Sequence, residues 1–245
     1  MSAAEDRVAT PGPHLAGAAL PGAALLDVVA LMDRLRSPGG CPWDAEQTHG
    51  SLTRYLVEET YEVLDAVEAL DGTPEPETEL AEELGDVLLQ VVFHARVAAE
   101  RGAFDVDDVA RALAAKLRRR HPHVFGDHVD RAGGPATGDG VQARWDELKA
   151  MEKPSRGPVD GIPLHLPALA RADKLLSRLD RAGIPLADVA PDPATTEERL
   201  GAELLALVVR ARATGVDAEA ALRATVRSAQ TAAAGGGDRA GWVRS

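Results

Sequence analysis

Six acidic side chains are spaced to act together. Glu58, Glu59 and Glu62 fall on one helical stretch, and Glu82, Glu83 and Asp86 on the next. Residues three apart share a helix face, so Glu59 with Glu62 and Glu83 with Asp86 each make a two-carboxylate claw. The stretch Asp71-Gly72-Thr73-Pro74 between them is short enough for an antiparallel helical hairpin, which would bring the two claws together. Four hard oxygen donors with no cysteine beside them suit magnesium or manganese better than zinc. A di-iron carboxylate bundle would need a Glu-x-x-His pair from each of two helices, and only Glu46 with His49 has that spacing.

The position of Glu59 strengthens the metal reading. Leu52, Leu56, Val63, Ala66 and Leu70 trace an apolar stripe at helical spacing, and Glu59 falls inside it. A carboxylate buried there without a partner is costly, so it should be paired or metal-bound. The second stretch is less decisive. Glu83, Asp86, Gln90 and His94 recur every three or four residues within an otherwise apolar run, which also fits an ordinary solvated face.

A basic segment follows in the chain. Lys116, Arg119 and Arg120 share one face of a helix that must end before Pro122, and could hold a triphosphate tail. Cations at a helix C-terminus also complement the helix dipole without any ligand. Trp43, beside Asp44 and Gln47, and Trp145, beside Asp146 and Lys149, could stack on a base or simply pack.

The elements that would position these groups are helices. The chain has 245 residues, 45% of them hydrophobic and only 3% aromatic, and lacks runs of alternating β-branched residues. That composition predicts an all-α protein with room for one large domain or two small ones. Helical patterns run over 25–35, from a Ser51 N-cap to about 70, from about 77 to 101, over 105–120, around 142–152, over 168–181 and 197–213, and on to about 234. Residues 1–24 form a loose tail, 25–153 the first domain, 154–167 a proline-rich linker and 168–245 a second helical region.

A net charge of −12 argues against a broad nucleic-acid surface. No apolar stretch approaches the ~20 residues that cross a bilayer, and the run from Leu15 to Leu26 makes a poor signal peptide because Pro21 breaks it and acidic residues precede it. The single cysteine, Cys41, excludes an internal disulfide and reads as a small packed residue. A cytoplasmic protein is expected.

Taken in order, Cys41-Pro42-Trp43-Asp44 with Gln47-Thr48, Glu58-Glu59-x-x-Glu62, Glu83-x-x-Asp86 within Glu-Leu-Gly-Asp, and Lys116 to Phe125 resemble the MazG family of nucleotide pyrophosphohydrolases. The resemblance covers roughly residues 25 to 153. It implies an all-α bundle in which helices of a dimer or higher homo-oligomer build each active site. Magnesium is the implied cofactor, with manganese as a substitute, held by Glu59, Glu62, Glu83 and Asp86. Glu58 is implied as the base or as a group behind the ligands. Lys116, Arg119 and Arg120 match the family's basic segment, and Trp145 with Lys149 matches a helix that closes over the nucleotide.

The implied reaction is hydrolysis of a nucleoside triphosphate, ordinary or deoxy, at the α-phosphorus to give a monophosphate and pyrophosphate, in nucleotide-pool housekeeping. Two rivals stand beside it. One is a non-catalytic module that binds a nucleotide or a regulatory protein on the same helices. The other is a dUTP or phosphoribosyl-ATP hydrolase of the same all-α superfamily.

The second region reads as a decayed copy of the first. Glu82 to Leu89 lines up without gaps against Glu198 to Leu205, and His94-Ala95-Arg96 then falls opposite Arg210-Ala211-Arg212. Glu83 corresponds to Arg199 and Asp86 to Ala202, so the second copy lacks the carboxylates of a magnesium site.

Overall fold

A computed structural model describes residues 22–126, 137–138, 140–141, 157, 159–189 and 192–235. Among these residues every regular element is a helix. The chain divides at 145/146 into two compact units, each considered by itself. The helix expected over 142–152, the tail up to residue 21 and much of the loop before them lie outside the described residues.

The first unit contains α1 (Ala23–Arg36), α2 (Pro42–Glu46), α3 (His49–Ala69), α4 (Pro74–Ala99), α5 (Val106–Arg120) and the single turn α6 (Pro122–Phe125). Helix α1 stops at Ser37-Pro38-Gly39-Gly40, where the chain folds back on the helix end. Gly40 donates to the Ser37 carbonyl at 2.8 Å and Cys41 to the Leu35 carbonyl at 2.8 Å. A Cβ on Gly40 would stand 2.1 Å from the Leu35 carbonyl oxygen, so only glycine permits this return. It delivers Pro42 to the first turn of α2, a short helix that the periodicity did not suggest.

Helix α3 begins earlier than expected. Its N-cap is Thr48, whose hydroxyl accepts from the Ser51 N–H at 3.1 Å while Ser51 Oγ accepts from the Thr48 N–H at 2.9 Å. Ser51 is thus the third helical residue of a reciprocal cap and not the cap itself. At the far end Asp71 accepts from the Thr73 N–H at 2.9 Å and from its hydroxyl at 2.6 Å, next to Gly72 with φ +85°. This local turn starts α4 at Pro74 within a few residues. Helix α5 is capped in the same reciprocal way by Asp105 and Asp108.

Helices α3 and α4 pack along their length as an antiparallel hairpin. His49 near the start of α3 touches His94 near the end of α4, and Glu62 near the end of α3 meets Glu83 near the start of α4. The core beneath is formed by Met32, Leu52, Val92, Phe93 and Val97, with Val28, Tyr55, Leu88 and Leu89 packed on it. Burying side chains of this size favours the fold by roughly 1.5–3 kcal/mol each.

The second unit contains α7 (Ala168–Ala182), a 3-10 turn (Leu186–Asp188), α8 (Thr196–Ala213) and α9 (Ala218–Gly235). Leu176, Leu179 and Val208 are its buried apolar residues. Arg212 of α8 reaches across to α7, with 2.7 Å to Asp173 and 2.9 Å to Asp180. Among the described residues no helix is long and apolar enough to cross a membrane.

Candidate active site

The hairpin sets three of the four expected ligands together. Glu59 and Glu62 stand one turn apart on α3, Glu83 faces them from α4, and each offers a carboxylate oxygen within 4.8 Å of the other two. Glu59 and Glu83 are half-buried and Glu62 is exposed, so the cluster opens to solvent on one side. Asp86 lies one turn further along α4, outside this grouping and exposed. Its charge nonetheless reaches both Glu59 and Glu83.

The electrostatics are those of crowded carboxylates. Burial, a hydrogen bond with Glu62 and the charges of Asp86, Glu62 and Glu83 push the Glu59 carboxyl above its ordinary value. Burial, followed by the charges of Glu62 and Asp86, pushes Glu83 the same way. One oxygen of Glu83, Oε2, is buried without a hydrogen-bond donor. An orphaned acceptor among mutually repelling carboxylates is an arrangement that a cation relieves. The donor set is all oxygen, as a hard divalent cation requires.

The second polar stripe faces inward over most of its length. Gln90 is only 5% exposed with an unpaired Oε1, and His94 is half-buried against His49 with an Nδ1 to Nδ1 distance of 2.7 Å. The two imidazoles stack with an interplanar angle of 7°. Burial, then the charge of His49, holds His94 below the ordinary histidine range. His49 entered the sequence reading only through its spacing from Glu46. Its contact partner is 45 residues away, which local spacing does not reveal.

The remaining expected residues are placed more loosely. Glu58 is exposed on α3, and its charge acts on Arg54 one turn earlier. Trp43 on α2 is exposed and meets Tyr55 of α3 edge-on, with ring centroids 5.9 Å apart. Lys116 and Arg119 lie on the exposed side of the last turns of α5, while Arg120 is half-buried. Trp145 and Lys149 lie outside the described residues.

One residue that sequence reasoning missed fastens the far end of the hairpin. Arg36, at the end of α1, donates to the backbone carbonyls of Asp44 and Gln47, the latter at 3.2 Å, and pairs with Glu100 at the end of α4. It ties α2 and the α3 cap to the hairpin.

Fold and cluster together define an all-α protein whose central hairpin carries a candidate metal site. Residues 47–125 match the MazG nucleotide pyrophosphohydrolase domain. The chain is 52% identical over 208 residues to an uncharacterized 26.1 kDa protein in the blaB 3' region of Streptomyces cacaoi, covering 84% of this chain and 79% of that one. It is 39% identical to the nucleoside triphosphate pyrophosphohydrolase/pyrophosphatase MazG of Thermotoga maritima, over 82% and 80% of the two chains. Identity to the nucleoside triphosphate pyrophosphohydrolase of Escherichia coli K12 is also 39%, over 80% of each. The chain belongs to the MazG family of nucleotide pyrophosphohydrolases and is a hydrolase.

Proposed function

We propose that the protein hydrolyses nucleoside triphosphates at the α-phosphorus, releasing a nucleoside monophosphate and pyrophosphate, as a cytoplasmic enzyme of nucleotide-pool housekeeping. The observation that carries this reading is the convergence of carboxylate oxygens from Glu59, Glu62 and Glu83, with Glu83 Oε2 buried and without a hydrogen-bond donor. These three with Asp86 would hold magnesium, or manganese in its place. When bound, such an ion supplies charge neutralisation and polarisation of the phosphate oxygens.

The chain's own groups supply the rest. Glu58, exposed and next to Glu59 in the chain, takes a proton from the attacking water as the water oxygen bonds to the α-phosphorus. The bond from that phosphorus to the bridging oxygen breaks, and its electron pair leaves with pyrophosphate. Lys116, Arg119 and Arg120 hold the β- and γ-phosphates. Trp43 and Trp145 flank the base, and Lys149 adds a cation. The names of the relatives from Thermotoga maritima and Escherichia coli favour the same substrate class.

The active form is a homo-oligomer, at least a dimer. The hairpin leaves Val57, Tyr61, Leu84 and Val91 exposed, and helical bundles cover such faces by pairing. Incubation with magnesium and a panel of triphosphates, with the products resolved as pyrophosphate or orthophosphate, tests the reaction. Monophosphate and pyrophosphate in equal amounts are expected. Release of orthophosphate alone, or no turnover of any triphosphate, would refute it.

A further inference from the structure

The face of α3 that carries the carboxylates continues one turn further as an aromatic one. Tyr55 lies four residues before Glu59, on the same side of the helix and about 6 Å along its axis. Its ring is half-buried against the core of the first unit. The Trp43 indole meets it edge-on, with centroids 5.9 Å apart and an interplanar angle of 74°, while remaining 51% exposed. An indole held at a fixed angle with half its surface in water forms an apolar wall beside the site.

Arg54 covers this group from outside. Its guanidinium lies over the Tyr55 ring, 4.4 Å from the centroid, and its Nη2 donates to the Tyr55 hydroxyl. Glu58 stands one turn ahead and its charge acts on Arg54, yet the side chain folds back over its chain neighbour. Arg54 is exposed, so the side of the guanidinium turned away from Tyr55 meets solvent. A cationic shelf thus stands beside an indole wall, one turn from the candidate metal ligands. A guanidinium is flat and weakly hydrated, and one already resting on an aromatic ring accepts a second π-system on its outer side.

We propose that Arg54, held on Tyr55, is the shelf on which the base of the substrate stacks, and that it makes the protein favour purine over pyrimidine nucleoside triphosphates. In this arrangement, which rests on the proposed reaction, the phosphates bind at the carboxylate cluster. With the α-phosphate beside Glu59, the ribose spans the single helical turn to Tyr55, and the base reaches Arg54 and Trp43. A two-ring base lies on the guanidinium and still borders the indole with its second ring. A one-ring base covers one or the other, so it loses part of the stacking.

Titration calorimetry of the full chain with magnesium tests the shelf. The probes are the α,β-methylene analogues of ATP and CTP, which keep three phosphates but cannot be cleaved between the first two, and inorganic tripolyphosphate, which has no base. The wild type should bind the adenosine analogue roughly tenfold more tightly than the cytidine one. Arg54→Leu should weaken the adenosine analogue by roughly tenfold, bring the two analogues level and leave tripolyphosphate unchanged. Arg54→Lys keeps the charge without the flat group and should lose the preference too, which a role in merely attracting anions would not produce. Equal affinity of the wild type for both analogues, a purine preference retained in Arg54→Leu, or equal weakening of all three probes would overturn the shelf while nucleotide binding stood. No binding of any probe to the wild type would overturn the phosphate site at the carboxylates, and the shelf with it.

Discussion

Arg36 and Glu100 form a two-pronged ion pair, with Nε 2.7 Å from Oε1 and Nη2 2.8 Å from Oε2. The guanidinium also lies over the Phe93 ring at 5.4 Å, so its charge, its donors and its flat face are all used. The pair joins the ends of α1 and α4, and the same side chain holds the carbonyls of Asp44 and Gln47 just before the α3 cap.

Removing Arg36 leaves Glu100 with Arg96 as its one remaining cation, at 3.2 Å, and strips a donor from two carbonyls. Arg36→Ala is expected to cost about 2–4 kcal/mol, and Arg36→Lys to recover only part of it because an ammonium cannot reproduce the fork. Urea unfolding of the full chain measures both. A midpoint unchanged in Arg36→Ala would show that the pair does not hold the helix ends.

The His49–His94 contact makes stability depend on pH. Burial, then the charge of His49, lowers the His94 value below its ordinary 6.5, so the folded form binds fewer protons than the unfolded chain near that pH. The contribution is fully present above about 6.5 and is lost as pH falls below it. The wild-type chain should lose more stability between pH 8 and pH 6 than His94→Gln does. Identical pH slopes in the two proteins would rule out this origin.

The carboxylate cluster carries the opposite sign. Glu59 and Glu83 are raised in the fold, so their cost is absent at low pH and appears as pH rises through their folded values. At neutral pH and without metal, Glu83→Gln should melt above the wild type. Magnesium should raise the wild-type melting temperature and move the variant much less. Equal magnesium shifts in both would remove Glu83 from the site.

Much of this was readable in the residues, and the failures have physical causes. The acidic claws, the hairpin and the helix faces follow from spacings within one or two turns, which is why Glu59, Glu62 and Glu83 could be expected to meet. The starting point of α3 was set by which of two hydroxyls, Thr48 or Ser51, takes the cap, and the two make a reciprocal pair that either assignment half describes. The inward turn of Gln90 and His94 could not be separated from a solvated face by period alone, since both give the same repeat. Arg36 with Glu100 spans 64 residues, and no local pattern marks it.

Magnesium-dependent pyrophosphate release by Glu59→Gln and Asp86→Asn, measured beside the wild type, decides whether the hairpin carboxylates carry metal-dependent hydrolysis. Far-ultraviolet circular dichroism of the same samples reports whether the helices persist. Loss of roughly 100-fold or more in turnover with helicity intact is the expected result for removal of a ligand. Full pyrophosphate release by both variants would take the hairpin carboxylates out of the reaction.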